Sequence, residues 1–195
     1  MKRVFDLFFS FFGLMIFSPI LLIIGILIAF TSRGGVFYRQ VRVGKGNMDF
    51  RIYKFRTMKV NSDKLGLLTV GGRDPRITRI GYYLRKYKLD ELPQLINVLL
   101  GDMSFVGPRP EVRKYVNLYT EEQKEVLNVK PGITDLASIE YRGENDILSK
   151  QSEPNKYYIE VIMPHKLKIN LEYLENRSLV KDIGVILKTF KAIME

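Results

Sequence analysis

Residues 88–95 read KLDELPQL, and a second motif, GPRPE, follows at 107–111. Proline lacks a backbone N–H and fits a helix only in its first turn, so Pro93 predicts a helix that begins at Asp90 and Glu91. The start of a helix presents unpaired N–H groups with partial positive charge, which favours phosphate and ionised carboxylates. The two carboxylates therefore stand where a divalent cation or a phosphorus centre can bind.

The acidic pair also has a purely structural interpretation. Acidic residues in the first turn of a helix usually stabilise the helix dipole and have no other role. The helix itself is well delimited, because apolar residues recur at helical spacing up to Leu99 and Gly101 is a typical C-terminal cap. The rest of the chain decides between a structural and a chemical role.

The composition favours an anionic partner. The 195 residues include no cysteine and carry a formal net charge of +10, with lysine and arginine spread along the whole length. The absence of cysteine excludes disulfides and cysteine-based metal sites. A basic surplus of this size is typical of proteins that bind nucleic acid, acidic lipid or phosphorylated substrates.

Residues 4–30 are almost wholly apolar and predict a membrane helix. Ser18 and Pro19, at its middle, predict a break, because a proline inside a helix removes a hydrogen bond and kinks the axis. Each half, about 13 residues or roughly 20 Å, is too short for a hydrocarbon core about 30 Å thick. Basic residues flank both ends and place both on the cytoplasmic side. We expect a re-entrant helix over 1–33 and a domain at the membrane surface over 34–195; a kinked spanning helix is the alternative.

Two segments of alternating residues, 36–43 and 50–58, are rich in β-forming side chains and are separated by a turn at 44–47. They predict an antiparallel hairpin with one basic face, on which Lys54 and Arg56 lie two residues apart. The fold class that we expect is α+β and mostly helical. It combines an N-terminal re-entrant membrane helix, a small antiparallel β-hairpin and amphipathic interfacial helices.

The remaining segments predict short helices and loops. Residues 59–75 read as a loop, whose paired glycines are only weak evidence for phosphate binding, and a short basic helix then leads directly to Asp90. A helical region over 111–128 contains a capping box that begins at Thr120. A further helix over 155–175 is expected to be interrupted at a proline.

The last helix begins after Ser178, which can cap it, and it carries apolar residues on one side and lysines on the other. This pattern fits a helix that lies on anionic lipid. It fits equally well a helix that packs on the protein core.

Arg109 stands between Pro108 and Pro110, in a segment that can be neither regular helix nor central strand. The prolines hold the arginine in a stiff, extended loop. A preorganised guanidinium suits bidentate binding of phosphate. An arginine on an ordinary proline-rich turn is the structural alternative.

The order of these motifs resembles that of the bacterial sugar transferases that load a phosphosugar onto polyprenyl phosphate, the monotopic phosphoglycosyl transferases. The resemblance covers nearly the whole chain, at the size of a minimal catalytic unit, and its most specific part runs from Asp90 to Pro110. The motifs that carry it are the apolar N-terminus with Ser18 and Pro19, YKFRTM at 53–58, LR at 84–85, LDELPQL at 89–95, GDMSFVGPRP at 101–110 and KPGIT at 130–134.

The resemblance implies a two-step reaction at the cytoplasmic face of the bacterial inner membrane. A nucleotide diphosphate sugar, usually a UDP-sugar, binds with Mg²⁺, for which Asp90 and Glu91 are the candidate ligands. Asp90, which matches the family nucleophile, attacks the sugar-side phosphorus and expels UMP, and undecaprenyl phosphate then takes the phosphosugar. A carboxylate can form such a covalent acyl phosphate. Glu91 matches the dyad partner, and a base, a metal ligand and a positioning group all remain open for it.

Four basic residues match basic positions of the family pattern, and we assign them to the substrate phosphates: Lys54, Arg85, Arg109 and Arg142. One departure from the family bears on the substrate. Many relatives read Gly-Trp-Ala-Gln after the KPGIT motif, whereas this chain reads Asp-Leu-Ala-Ser at 135–138. If this loop contacts the nucleotide or the sugar, the substrate differs from that of the best-known members, so the sugar is left open.

Two other functions fit parts of the sequence. A membrane-anchored protein could bind a partner or a nucleotide through its basic face without catalysis, which predicts no turnover and indifference to changes at both acids. Nucleic-acid binding draws only on the net charge. The apolar anchor and the lack of a recognisable nucleic-acid motif disfavour it.

Overall fold

The structure of the chain is a computed structural model, and it describes residues 1–62, 66, 68–71 and 74–194. Helices predominate, as the sequence predicts, and a small antiparallel sheet accompanies them. The predicted loop over 59–75 is described only in part, and Gly72, one of its paired glycines, lies outside the described residues. An antiparallel bridge between Met58 and Ile77 joins the segments on either side of this loop.

The apolar N-terminus forms one long helix, α1 (Lys2–Thr31), which alone among the described residues is long and apolar enough to cross a membrane. α1 continues through Pro19, so the break that was predicted at Ser18 and Pro19 does not divide the helix, and a kink of its axis there stays a prediction. Pro19 cannot donate to the carbonyl of Met15, four residues earlier. The hydroxyl of Ser18 donates to that carbonyl instead, at 2.8 Å, and so replaces the missing bond. The re-entrant path of the segment stays a prediction.

This replacement gives a testable consequence. Ser18→Ala is expected to lower the free energy of unfolding by about 1 kcal/mol, because it leaves the carbonyl of Met15 unpaired in apolar surroundings. Adding Pro19→Ala restores a backbone N–H at position 19 and is expected to recover most of that loss. Thermal unfolding in detergent of the wild type, both single variants and the double variant measures the coupling. An equal loss from Ser18→Ala with and without the proline contradicts this account.

α1 is fastened to the rest of the chain near its first turn. The guanidinium of Arg3 donates to the carbonyls of Val98 and Leu99, at 2.6 and 2.9 Å. Lys2 forms an ion pair with Asp182 at 2.5 Å. A cation at the end of a helix stabilises its unpaired carbonyls, so the start of α1 caps another helix of the protein.

Further contacts hold both ends of α1 against the same folded unit. Asp6 is buried and accepts hydrogen bonds from the hydroxyl of Ser104 at 3.1 Å and from the backbone N–H of Phe105 at 3.2 Å. At the other end, α1 shares a buried apolar cluster with the hairpin and a later helix: Ile24, Ile28, Phe55 and Leu84. α1 therefore lies along the domain instead of leaving it at one end.

The predicted hairpin is confirmed. β1 (Phe37–Val43) and β2 (Asp49–Phe55) pair in antiparallel orientation, with Lys54 opposite Tyr38. The connecting turn, Lys45–Asn47, is one turn of 3₁₀ helix, in which Gly46 has a φ of 67°. Glycine adopts this left-handed conformation without the strain that a side chain would bring.

A second, parallel pair of strands was not predicted. β3 (Ser104–Val106) pairs with β4 (Gly132–Thr134), and each is only three residues long. The backbones approach closely just beyond β3, where a Cβ added to Gly132 would lie 2.2 Å from the nitrogen of Gly107. Glycine at both positions permits this contact, which sets the GPRP and KPGIT motifs side by side.

Further α-helices follow in the described part of the chain. They are α2 (Arg79–Lys86), α3 (Gln94–Leu100), α4 (Arg113–Val116), α5 (Leu136–Glu140), α6 (Glu144–Ser149), α7 (Pro154–Tyr157), α8 (Met163–Glu175) and α9 (Leu179–Met194). A π-helical turn, Tyr158–Ile162, separates α7 from α8, close to the predicted interruption. The capping box is confirmed, because Thr120 and Gln123 exchange side-chain to backbone hydrogen bonds at 3.0 and 3.2 Å, although the helix that it starts is 3₁₀.

The acidic pair lies slightly ahead of the position that the sequence predicts. Asp90 and Glu91 belong to a 3₁₀ turn, Leu89–Glu91, and Pro93 is the N-cap residue of α3. Lys88, with a φ of 56°, ends α2 in a left-handed conformation and starts this separate turn. Gly101 closes α3 as predicted, with a φ of 98°.

α9 packs on the domain with one side and leaves another apolar side exposed. Asp182 and Val185 are buried, and Val185 joins Val106 in an apolar cluster. The hydroxyl of Ser178 accepts from the backbone N–H of Lys181 at 3.2 Å, which confirms the predicted cap. The exposed apolar residues of α9 include Val180, Leu187, Phe190 and Met194. A position at the lipid surface stays a prediction.

Candidate active site

Two cationic side chains from separate elements meet at Glu91. The ammonium of Lys54, on β2, donates to Oε1 of Glu91 at 2.7 Å. The guanidinium of Arg109, in the loop after β3, donates from Nη1 to Oε2 at 3.3 Å and from Nη2 to Oε1 over a short distance. A bidentate pair of this kind fixes both the position and the plane of the guanidinium.

Asn97 sets the distance between the acidic turn and the strand that carries Lys54. This residue of α3 is fully buried, accepts from the backbone N–H of Tyr53 at 2.8 Å and donates to the carbonyl of Arg51 at 2.9 Å. The two bonds tie α3 to β2 directly beside Lys54. This role was not predicted from the sequence, where the available signal is an asparagine inside a largely apolar helical segment.

Asp135 fixes the loop that carries Arg109. One oxygen of this buried carboxylate accepts from the backbone N–H of Arg109 at 2.7 Å and from the amide of Asn170 at 3.3 Å. The other oxygen accepts from the backbone N–H of Ser138 and caps α5. Asp135 is the first residue of the Asp-Leu-Ala-Ser segment at 135–138, so this segment contacts the loop that carries Arg109.

Asp90 is a buried carboxylate with an unused oxygen. The residue is 7% exposed, and its Oδ1 has no hydrogen-bond partner among the described residues. Burial raises the pKa of Asp90 above its ordinary value, and the nearby charge of Glu91 raises it further. Asp90 is thus poorly solvated, in contrast to the usual helix-capping acid.

Glu91 has the opposite electrostatic environment. Burial by itself would raise its pKa, but the charges of Arg109 and Lys54 hold the pKa of Glu91 well below its ordinary value. Burial lowers the pKa of the Lys54 ammonium, although Glu91 acts against this shift. Glu91 therefore remains ionised at neutral pH and binds two cations.

Two cavities lined largely by polar and charged residues, called the polar cavities below, open beside these side chains. The first, of about 150 Å³, is lined by Asp90 together with Lys54 and Arg85. The second, of about 210 Å³, is lined by Lys54, Arg85 and Arg109, and its far side includes Asn170. Arg85 donates from Nη2 to the hydroxyl of Thr69 at 3.1 Å, and its Nη1 has no partner within the described part of the chain. The cavities thus present cationic donors to an anionic ligand.

Comparison with known proteins identifies the family. The sequence profile of the bacterial sugar transferases matches residues 1–195. The chain belongs to this family. Its membership confirms the resemblance on which the site assignments depend.

Individual bacterial sugar transferases are similar to this one over nearly all of its residues. The chain is 38% identical over 198 residues to UDP-N-acetylgalactosamine-undecaprenyl-phosphate N-acetylgalactosaminephosphotransferase of Aeromonas hydrophila, covering 99% of the chain and 43% of that protein. It is 36% identical over 193 residues to UDP-glucose:undecaprenyl-phosphate glucose-1-phosphate transferase of Escherichia coli (strain K12), covering 97% of the chain and 39% of that protein. It is 38% identical over 197 residues to exopolysaccharide production protein PSS of Rhizobium leguminosarum bv. phaseoli, covering 97% of the chain and 92% of that protein. The chain spans about two fifths of the length of the first two relatives and most of the third.

In this member of the family, the structure gathers most of the predicted site residues. Lys54, Arg85 and Arg109 line the polar cavities beside the acidic pair. Arg142 lies elsewhere, in an apolar groove that Glu91 and Arg109 also line. Ser18 and Pro19 lie at the middle of α1 and line none of these three spaces within the described residues.

The two candidate metal ligands, Asp90 and Glu91, differ in whether their carboxylate oxygens already accept hydrogen bonds. No group of three or more histidine, cysteine or acidic side chains among the described residues could hold a metal ion. Mg²⁺ commonly uses one or two carboxylates and completes its shell with water and substrate phosphate. Asp90 lines a cavity and its Oδ1 is unpaired within the described residues, so Asp90 is the better candidate, whereas both oxygens of Glu91 already accept hydrogen bonds from cations.

Proposed function

We propose that the chain transfers a sugar phosphate from a UDP-sugar to undecaprenyl phosphate and releases UMP. The single observation that carries this proposal is the buried Asp90, which lines a cavity together with Lys54 and Arg85 and whose Oδ1 has no hydrogen-bond partner among the described residues. The names of two relatives specify UDP-sugar donors and undecaprenyl-phosphate acceptors, which supports the same substrates here. The sugar itself is left open, since those two relatives are named for different sugars.

In the first step, an oxygen of ionised Asp90 attacks the sugar-side phosphorus of the donor. A bond forms between that oxygen and phosphorus, and the bond from phosphorus to the bridging oxygen breaks. UMP leaves with the bridging oxygen and its electron pair. The sugar phosphate remains on Asp90 as a mixed anhydride, as expected when a carboxylate acts as a nucleophile.

In the second step, a phosphate oxygen of undecaprenyl phosphate attacks the same phosphorus. The bond to Asp90 breaks, the carboxylate is regenerated, and the product is undecaprenyl diphosphosugar. Both nucleophiles are anions, so neither step requires a base to remove a proton. We therefore assign Glu91 to positioning: it holds Lys54 and Arg109 where charge develops on the transferred phosphoryl group.

Positive charge has two sources in this mechanism. Lys54, Arg85 and Arg109 bind and orient the diphosphate, and catalysis of phosphoryl transfer depends mainly on such positioning and charge neutralisation. Mg²⁺, held by Asp90 together with the donor phosphates, would supply further neutralisation of charge and would favour the ionised form of Asp90.

The geometry of α1 supports a re-entrant anchor at the cytoplasmic face of the inner membrane. Lys2 and Arg3 bind the domain at one end of α1, and Ile24 and Ile28 pack on it at the other. A helix that crosses the bilayer would carry one of its ends away from a domain on one side. Basic residues beyond both ends favour the same side for each. Such an anchor brings a water-soluble donor and a lipid acceptor to one site.

The mechanism is tested by trapping the intermediate. The purified protein in detergent, given Mg²⁺ and a UDP-sugar but no acceptor, is expected to gain the mass of one sugar phosphate and to release one equivalent of UMP. Intact mass spectrometry and UMP assay measure the two events, with a panel of UDP-sugars to find the donor. UMP that appears only after undecaprenyl phosphate is added, with no mass gain, would indicate direct transfer and overturn the covalent mechanism.

The pH dependence of adduct formation reports on Asp90. The rate is expected to fall as pH decreases through the raised pKa of Asp90, because only its ionised form attacks. Glu91→Gln removes a like charge and leaves Lys54 and Arg109 to stabilise ionised Asp90, so the acid limb is expected to move to lower pH. Profiles of kcat/KM for the donor provide the measurement. An acid limb that disappears in the variant would instead identify Glu91 as the titrating group.

A further inference from the structure

A groove of about 270 Å³ lies on the other side of the Glu91–Arg109 pair from the polar cavities. Both residues line it, and Arg109 also lines the second polar cavity. The groove is bounded by the middle of α1, by the β4–α5 segment and by α9. Its walls are mainly apolar and include Phe17, Ile133, Ile139, Ile186, Phe190 and Ile193.

Basic side chains accompany these apolar walls. Lys86, Lys88 and Arg142 also line the groove, and no carboxylate within the described part of the chain forms an ion pair with any of them. The groove therefore combines a surface for a hydrocarbon chain with cations for a phosphate group. A nucleotide matches the polar cavities better than it matches this groove.

We propose that this groove binds the acceptor, with the prenyl chain along the apolar walls and the phosphate at Lys88 and Arg142. The assignment rests on the proposed function and adds to it the route by which each substrate enters. The donor occupies the polar cavities beside Asp90, and the acceptor approaches from the apolar side. Arg109 lines both spaces, so it contacts the phosphoryl group in both steps.

Charge and position both favour a prenyl monophosphate over other occupants. A phosphate monoester pairs with two cations more strongly than a phosphodiester lipid does, because it carries more negative charge. The groove reaches the Glu91–Arg109 pair, so a phosphate at its end lies next to the reacting centre. An acyl chain of an ordinary phospholipid is the competing occupant.

The chain has no tryptophan, which makes a direct binding test possible. Phe190 lines the groove and is 62% exposed, whereas Leu187, on the same helix and 63% exposed, lies outside the lining. Phe190→Trp and Leu187→Trp therefore place a single indole inside or outside the groove at matched exposure. Each protein, in detergent, is titrated with undecaprenyl phosphate, with undecaprenol and with phosphatidylglycerol.

We expect a saturable blue shift of the emission for Phe190→Trp with undecaprenyl phosphate. The shift should be much weaker with undecaprenol and absent with phosphatidylglycerol. Combining Phe190→Trp with Arg142→Gln should raise the midpoint about tenfold, as expected for the loss of one charge-assisted phosphate contact. An equal response from Leu187→Trp, or an equal response to phosphatidylglycerol, would overturn the proposal, because α9 would then report only on lipid in general.

Measurements of KM for the two substrates test the groove separately from the proposed function. Phe190→Ser is expected to raise the KM for undecaprenyl phosphate roughly five- to tenfold relative to Leu187→Ser, and to leave the KM for the UDP-sugar unchanged. Equal effects of the two substitutions would contradict a groove site. If the wild type releases no UMP from any UDP-sugar, the proposed function fails, and the fluorescence titration alone then decides whether the groove binds a prenyl phosphate.

Discussion

Asp90→Asn is expected to reduce sugar phosphate transfer by at least roughly 10⁴-fold, because the amide cannot become the covalent carrier. The substitution preserves the shape of the side chain within its buried site. We therefore expect the variant to bind donor and acceptor but to show no added mass with the UDP-sugar. UMP release and intact mass spectrometry, compared with the wild type, give the result. Full activity of this variant would refute the assignment of Asp90 as nucleophile.

The same variant should unfold at a higher temperature than the wild type at neutral pH. A group whose pKa is raised on folding stabilises the protein at low pH and loses that contribution as pH rises through the folded-state pKa. Asp90 is such a group, so its ionised form opposes folding at neutral pH. Removing it is expected to add about 1 kcal/mol. The advantage should disappear in acid, where Asp90 is protonated, and a pH series of thermal unfolding curves checks the sign.

Arg109→Ala is expected to have the second largest effect, a loss of roughly 10²- to 10³-fold in transfer, as found when one preorganised donor to developing charge is removed. The change also removes the bidentate partner of Glu91, so the free energy of unfolding should fall by about 1–3 kcal/mol. Arg109→Lys should recover part of the stability but little of the rate, because an ammonium cannot reproduce the planar pair.

A surface arginine provides the matched control for this prediction. Arg113 pairs with Asp49 at 2.6 Å, but both side chains are well exposed. Arg113→Ala is therefore expected to change the stability by less than about 1 kcal/mol and to leave transfer unaffected. Equal losses of activity from Arg109→Ala and Arg113→Ala would indicate a general effect of net charge, and would contradict a specific phosphate contact.

Local sequence rules predicted the elements whose signals are contained within a few residues. The alternating hairpin, the glycine cap of α3, the capping box at Thr120 and the cap at Ser178 all follow from short-range geometry, and the structure confirms them. The β3–β4 pair was not predicted, because two three-residue strands far apart in sequence carry no periodic signal.

The candidate site shows the same division between local and long-range information. Asp90, Glu91 and Arg109 stand in motifs that are visible in the sequence, and the structure brings Lys54 to them. The roles of Asn97 and Asp135 depend on contacts between distant segments, so residue type alone does not reveal them. The continuity of α1 through Ser18 and Pro19, where a break was predicted, has a similar cause, since a general rule about proline ignores the neighbouring hydroxyl.

The attachment of α1 has a practical consequence for making a water-soluble form of this enzyme. Deletion of the apolar segment would remove more than a membrane anchor. Asp182 would lose its ion pair with Lys2, and the carbonyls at the end of α3 would lose their hydrogen bonds from Arg3. Those groups and the cluster around Phe55 and Leu84 would then face solvent. Solubility is better sought by replacing outward-facing apolar side chains of α1 while its polar first turns are kept.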